Sequence, residues 1–92
     1  MYEIRFTAKF HKSYKKVSNS IGFSIEKFDQ IIVYFETRKE LPRIFHDHSL
    51  AGNFASFREC HISGNCILIY EINHDDKYVR LYNIGNHANM FE

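Results

Sequence analysis

Cysteine is scarce in this chain of 92 residues, which holds two, Cys60 and Cys66. Two cysteines are too few for a disulfide framework, and their separation fits no common zinc-binding pattern. Two reduced thiols are therefore expected. A bridge across a hairpin turn at residues 63–65 is the less favoured alternative.

Long apolar runs are also missing. No stretch approaches the roughly 20 apolar residues that a helix needs to cross a bilayer. Glu3, Arg5 and Lys9 interrupt the segment where a signal peptide would be apolar. No linker, internal repeat or low-complexity segment divides the chain. We expect one domain over residues 1–92, located in the cytoplasm and without a membrane partner.

The net charge is small but unevenly distributed. The whole chain carries +1, whereas residues 1–20 hold five basic side chains against one acidic side chain, giving 5 − 1 = +4. Lys12, Lys15 and Lys16 lie in this basic segment and are candidates for RNA contact. The alternative interpretation is that these lysines only solvate an exposed helix face.

Hydrophobic periodicity predicts a strand and then a helix at the start of the chain. Residues 1–6 alternate as a strand does. Thr7 is suited to cap the helix that follows. Phe10, Tyr14 and Val17 then recur at helical spacing, so this helix is expected to be amphipathic.

The remaining pattern predicts a second helix and three strands. The helix is expected from about residue 24 to 39, where Pro42 prevents its continuation. The strands are expected at residues 54–61, 66–72 and 78–84, separated by turn-forming residues. Short connections favour antiparallel neighbours, so the three strands should form a meander. The expected fold class is α+β.

Three histidines, His48, His61 and His87, are spaced across the C-terminal half. Histidine can both accept and donate a proton near pH 7. The intervening strand pattern could direct all three side chains toward one surface, which is what acid/base chemistry at neutral pH requires.

The residues around these histidines resemble the YafQ branch of the RelE-like bacterial toxins, over essentially the whole chain. Those toxins are ribosome-dependent mRNA endonucleases of toxin–antitoxin pairs. The resemblance is carried by five motifs in order, which are LP (residues 41–42), DHSLAG (47–52), RECH (58–61), LIY (68–70) and GNHANMF (85–91). It implies a RelE-like sheet of about four strands, mostly antiparallel, with both helices on one face.

The resemblance also implies roles and partners. His48 corresponds to the candidate general base, His87 to the candidate general acid, and His61 to a residue near the scissile phosphate. Phe91 corresponds to a terminal ring that stacks on a base, although it could equally anchor the C-terminus. The implied partners are an antitoxin, mRNA on the ribosome and ribosomal RNA, with DNA contacted only through the antitoxin complex. Neither a metal nor another cofactor is implied.

Two arginines, Arg58 and Arg80, are candidate phosphate ligands because a guanidinium presents a fixed fork to phosphate oxygens. Ordinary ion pairs with Glu59, Glu71 or Asp76 are the competing interpretation.

Three positions depart from the family pattern. Asn65 and Cys66 replace an acidic residue and a tryptophan, and Asn83 replaces an arginine. Asn65 and Asn83 could support the site by hydrogen bonding, but neither supplies charge. The second hypothesis is therefore a RelE-like module that binds antitoxin or ribosome without efficient cleavage.

Two other chemistries are less favoured. His46 and His48 could ligate a metal in a hydrolase, but the sequence specifies no third ligand. A cysteine nucleophile paired with His61 would need a cationic setting that the sequence does not provide.

Overall fold

The computed structural model describes residues 1–86, and their fold is α+β, as predicted. The elements, in chain order, are strand β1 (Glu3–Phe6), helices α1 (Ala8–Val17) and α2 (Ile25–Thr37), and strands β2 (His48–Ser49), β3 (Arg58–Ser63), β4 (Cys66–Asn73) and β5 (Tyr78–Asn86). Two short 3-10 helices, Arg43–Phe45 and Gly52–Phe54, lie on either side of β2.

The five strands form one sheet in the order β1-β5-β4-β3-β2. The predicted meander is confirmed, because β3, β4 and β5 pair antiparallel as neighbours. Strand β1 pairs parallel to β5 at one edge, and β2 pairs antiparallel to β3 at the other. The resemblance implied about four strands, and the additional one is β2, which has two residues and lies between the predicted second helix and the strand expected at residues 54–61.

Some element boundaries differ from the predictions. Strand β3 begins at Arg58 rather than at residue 54, because Gly52–Phe54 forms a 3-10 helix instead. Helix α2 ends at Thr37, since Arg38 adopts a left-handed backbone with φ of 58°.

Two hydroxyl residues cap the helices and also fix them to the sheet. Thr7 Oγ1 accepts a hydrogen bond from the Phe10 backbone N–H at 2.9 Å and donates to the Tyr82 carbonyl at 2.6 Å. Ser24 is the N-cap of α2, and its own N–H donates to Ser63 Oγ at 3.0 Å. The predicted capping role of Thr7 is confirmed.

The two faces of the sheet differ in what packs on them. Both helices pack on one face, where the main core includes Phe10, Phe28, Phe35, Tyr70 and Leu81. On the other face a smaller cluster is built on Ile67 and Ile69, with Leu50, Phe57 and Tyr82 packed against it. Within residues 1–86, no helix is both long and apolar enough to cross a bilayer.

Candidate active site

A buried carboxylate, that of Glu59, lies between two of the predicted histidines. Its Oε1 is 3.6 Å from His61 Nε2, and its Oε2 is 4.0 Å from His48 Nε2. The Glu59 side chain is 3% exposed, whereas His48 and His61 are 51% and 39% exposed. Both imidazoles are therefore accessible to a ligand while the carboxylate between them is shielded from water.

Strand register explains this convergence. His48 on β2 is the direct cross-strand partner of Glu59 on β3. His61 follows Glu59 by two positions on the same strand, so both side chains point to the same face of the sheet. This is the face opposite the helices, because Cys60 and Ile62, which alternate with these residues, are part of the main core.

Glu59 is the residue that the sequence predictions missed, since it was considered only as a possible ion-pair partner for Arg58 or Arg80. A carboxylate beside an imidazole holds the ring in one orientation and favours one tautomer. The available signal was the spacing of Glu59 and His61 on a predicted strand. We refer to His48, Glu59 and His61 as the His–Glu–His cluster.

His46 packs at the edge of this cluster. Its ring centroid is 5.4 Å from that of His61, in an edge-on arrangement. The His46 carbonyl is 2.8 Å from His48 Nδ1, which leaves His48 Nε2 directed toward Glu59. Within residues 1–86, no three His, Cys, Asp or Glu side chains are grouped to hold a metal ion, so the metal interpretation gains no third ligand there.

Arg58 forms an ion pair, but with none of the acids proposed from the sequence. Its Nε and Nη2 donate to the two carboxylate oxygens of Asp47 at 3.2 and 3.0 Å, and its Nη1 donates to Ser49 Oγ at 2.8 Å. The hydrogen bond to Asp47 raises the pKa of Arg58, so the guanidinium stays charged. A role for Arg58 as a phosphate ligand stays a prediction.

Arg80 pairs with the Glu71 carboxylate, one of the partners considered from the sequence. Its Nε is buried with no hydrogen-bond partner in the described part of the chain. Phosphate binding by Arg80 likewise stays a prediction. The candidate RNA contacts Lys12, Lys15 and Lys16 are all exposed on α1.

The supporting residues Asn65 and Asn83 line a different feature, an open cavity of about 670 Å³ between α1 and the β3–β4 turn. Asn83 is 5% exposed, and its side-chain oxygen accepts a hydrogen bond from the Ile84 N–H at 2.9 Å. Among the described residues, neither His48 nor His61 lines this cavity.

His87 and Phe91 lie outside the described residues, and their roles stay predictions. The cavity lining extends to Asn86, which immediately precedes His87.

The two cysteines are free thiols, as predicted. Burial raises the pKa of Cys66 to about 11 and also raises the pKa of Cys60. Both thiols are therefore protonated at neutral pH, which disfavours the nucleophile interpretation.

Known toxins share this fold. A copper-bound mutant toxin from Helicobacter pylori has a TM-score of 0.89 and 28% identity, covering 99% of this chain and 100% of its own. The DinJ–YafQ complex of Escherichia coli gives a TM-score of 0.83 at 25% identity, with complete coverage of both chains.

Sequence comparison gives the same relationship. The mRNA interferase toxin YafQ of Escherichia coli is 37% identical over 51 residues, which are 55% of this chain and 53% of that protein. The matched region thus spans about half the length of this curated relative. The model of a family described as the bacterial toxin of type II toxin–antitoxin system, YafQ, matches residues 2–92. The chain belongs to the YafQ family of bacterial toxins.

Proposed function

We propose that this chain is an mRNA interferase, an endoribonuclease that cuts mRNA on the ribosome and is held inactive by an antitoxin. The observation that carries the proposal is the His–Glu–His cluster, in which two accessible imidazoles face one shielded carboxylate. Family membership supports the same assignment, as does the name mRNA interferase given to the Escherichia coli relative.

The reaction needs no external nucleophile. A general base removes the proton from the ribose 2′-hydroxyl, and the 2′-oxygen attacks the adjacent phosphorus. The bond from phosphorus to the 5′-oxygen breaks, and a general acid protonates that oxygen as it leaves. The products are a 2′,3′-cyclic phosphate and a 5′-hydroxyl end.

In this proposal His48 is the general base, His87 the general acid, and His61 donates a hydrogen bond to a phosphoryl oxygen. A well-placed acid or base contributes roughly 10²- to 10⁴-fold in rate. Glu59 would orient the two imidazoles beside it, so that both reach one phosphodiester. Phe91 would stack on a neighbouring base.

The partners follow from the charged surfaces and from the relatives. The exposed side chains of Lys12, Lys15 and Lys16 would contact ribosomal RNA through its phosphates. Arg80, on strand β5, would contribute a further contact to an RNA phosphate. The DinJ–YafQ complex of Escherichia coli supports an antitoxin partner for this chain. DNA would be reached only through that complex, and the single domain of residues 1–92 would act in the cytoplasm, where ribosomes translate.

The test is cleavage of message by purified protein in the presence of translating ribosomes. Wild type should produce fragments with 5′-hydroxyl ends, and His48→Ala and His61→Ala should each reduce their yield at least 100-fold. His74→Ala is the matched control, because His74 lies in the turn between β4 and β5 and hydrogen-bonds Tyr2 at 3.0 Å. Absence of cleavage by wild type, or equal cleavage by all three variants, would reject the proposal.

A further inference from the structure

The residue before His48 is held by two strands of the sheet. The Asp47 carboxylate accepts hydrogen bonds from Arg58 Nε at 3.2 Å and Nη2 at 3.0 Å, which is a bidentate arrangement. It also accepts a hydrogen bond from the Tyr70 hydroxyl. Asp47 is thereby fixed to β3 through Arg58 and to β4 through Tyr70.

The residue after His48 is held by the same guanidinium. Ser49 Oγ accepts from Arg58 Nη1 at 2.8 Å. Both chain neighbours of His48 are therefore fixed by one side chain. Strand β2 has only two residues, so backbone pairing alone gives His48 little support.

Tyr70 anchors these groups in the main core. Tyr70 is 1% exposed, and its ring centroid is 4.4 Å from that of Phe35 on α2. Burial, and then the hydrogen bond to Asp47, raise the pKa of Tyr70, so its hydroxyl keeps the proton that it donates. The Asp47 and Arg58 side chains are only 21% and 35% exposed.

We infer that Asp47, Arg58 and Tyr70 form a clamp that positions His48 against Glu59. The catalytic consequence rests on the proposed function, whereas the structural consequence does not. Arg58 is a positioning residue in this inference, since three of its five N–H groups already donate to protein oxygens. The clamp also gives a physical role to residues of these motifs other than the histidines, namely Asp47 in DHSLAG, Arg58 in RECH and Tyr70 in LIY.

The structural test follows the His48 ring by NMR in labelled protein. Wild type should show nuclear Overhauser contacts between the His48 ring and the Glu59 side chain. Asp47→Asn, Arg58→Lys and Tyr70→Phe should each weaken these contacts and shift the His48 ring resonances, while amide signals of β4 and β5 persist. Arg5→Gln is the matched control, because Arg5 forms an exposed ion pair with Glu3 at 2.9 Å and should leave His48 unchanged.

The kinetic test separates positioning from phosphate binding. Displacing a reacting group by about 1 Å costs on the order of 10²-fold, so the clamp variants should lower kcat about 10- to 100-fold with KM within about twofold. A phosphate ligand would behave differently, because Arg58→Lys would raise KM and leave the His48 resonances in place. That result would overturn the inference.

The remaining outcomes also decide the question. If a clamp variant unfolds, Ser49→Ala removes a single hydrogen bond and should give a smaller shift of the same His48 resonances. Unchanged His48 signals in every folded variant would refute the clamp. If wild-type protein cleaves no message, the proposed function fails. The NMR contacts between His48 and Glu59 still test the clamp independently.

Discussion

Glu59 shows how one buried side chain can organise two exposed ones. Its carboxylate is 3% exposed, yet it faces two imidazoles that are 51% and 39% exposed. The histidines could be predicted to converge, because His48 and His61 lie in recognisable motifs. The carboxylate could not, because its role depends on the pairing of β2 with β3, and a two-residue strand has no detectable periodicity.

Cys66 gives a prediction about stability against pH. Cys66 is 9% exposed, and burial raises the pKa of its thiol from the ordinary 9.0 to about 11. The folded state therefore holds this proton more tightly than the unfolded state. The contribution of the protonated thiol to the free energy of unfolding is fully present below pH 9 and is lost as the pH rises through about 11. The free energy of unfolding then falls by at most about 1.4 kcal/mol per pH unit.

The measurement is urea unfolding of wild type and Cys66→Ala at pH 8, 9.5 and 10.5. Other groups titrate in this range, so the difference between the two proteins isolates the thiol. Wild type should lose stability more steeply than Cys66→Ala above pH 9. Parallel pH profiles would show that the thiol is not shielded as the structure indicates.

At the scale of elements, the helices were predictable and the edge strand was not. Helix α1 has a capping threonine and apolar residues at helical spacing, and both signals are local. Helix α2 was also found, but its apolar residues are not equally buried, since Ile31 is 0% exposed and Ile25 is 46% exposed. The exact face of a helix depends on how it docks on the sheet, which local periodicity does not specify.

Substitution of Thr7 tests whether one side chain both caps the start of α1 and fixes this helix to β5. Thr7→Ala removes the acceptor for Phe10 N–H and the donor to the Tyr82 carbonyl. The free energy of unfolding should fall by about 1–2 kcal/mol. Thr7→Ser keeps the hydroxyl and should stay within about 0.5 kcal/mol of wild type. Denaturant unfolding measures both variants, and equal losses for alanine and serine would assign the effect to the methyl group instead.

At the scale of the whole molecule, one face of the sheet contributes mainly to stability and the other presents the proposed active site. The helix-covered face carries the main core and therefore most of the stability. The opposite face presents the His–Glu–His cluster, supported by the smaller cluster around Ile67 and Ile69. Substitution of the exposed histidines should consequently change cleavage without changing the thermal unfolding temperature.

The most direct test of this account is a double-mutant cycle on ribosome-dependent cleavage, using wild type, His48→Asn, His61→Asn and the double variant. Residues that act as one unit give non-additive losses. Each single variant should lose at least 100-fold in cleavage rate, and the double variant should lose only a few-fold more than the worse single one, with unfolding temperatures unchanged. Losses that multiply in the double variant would contradict a shared site organised by Glu59.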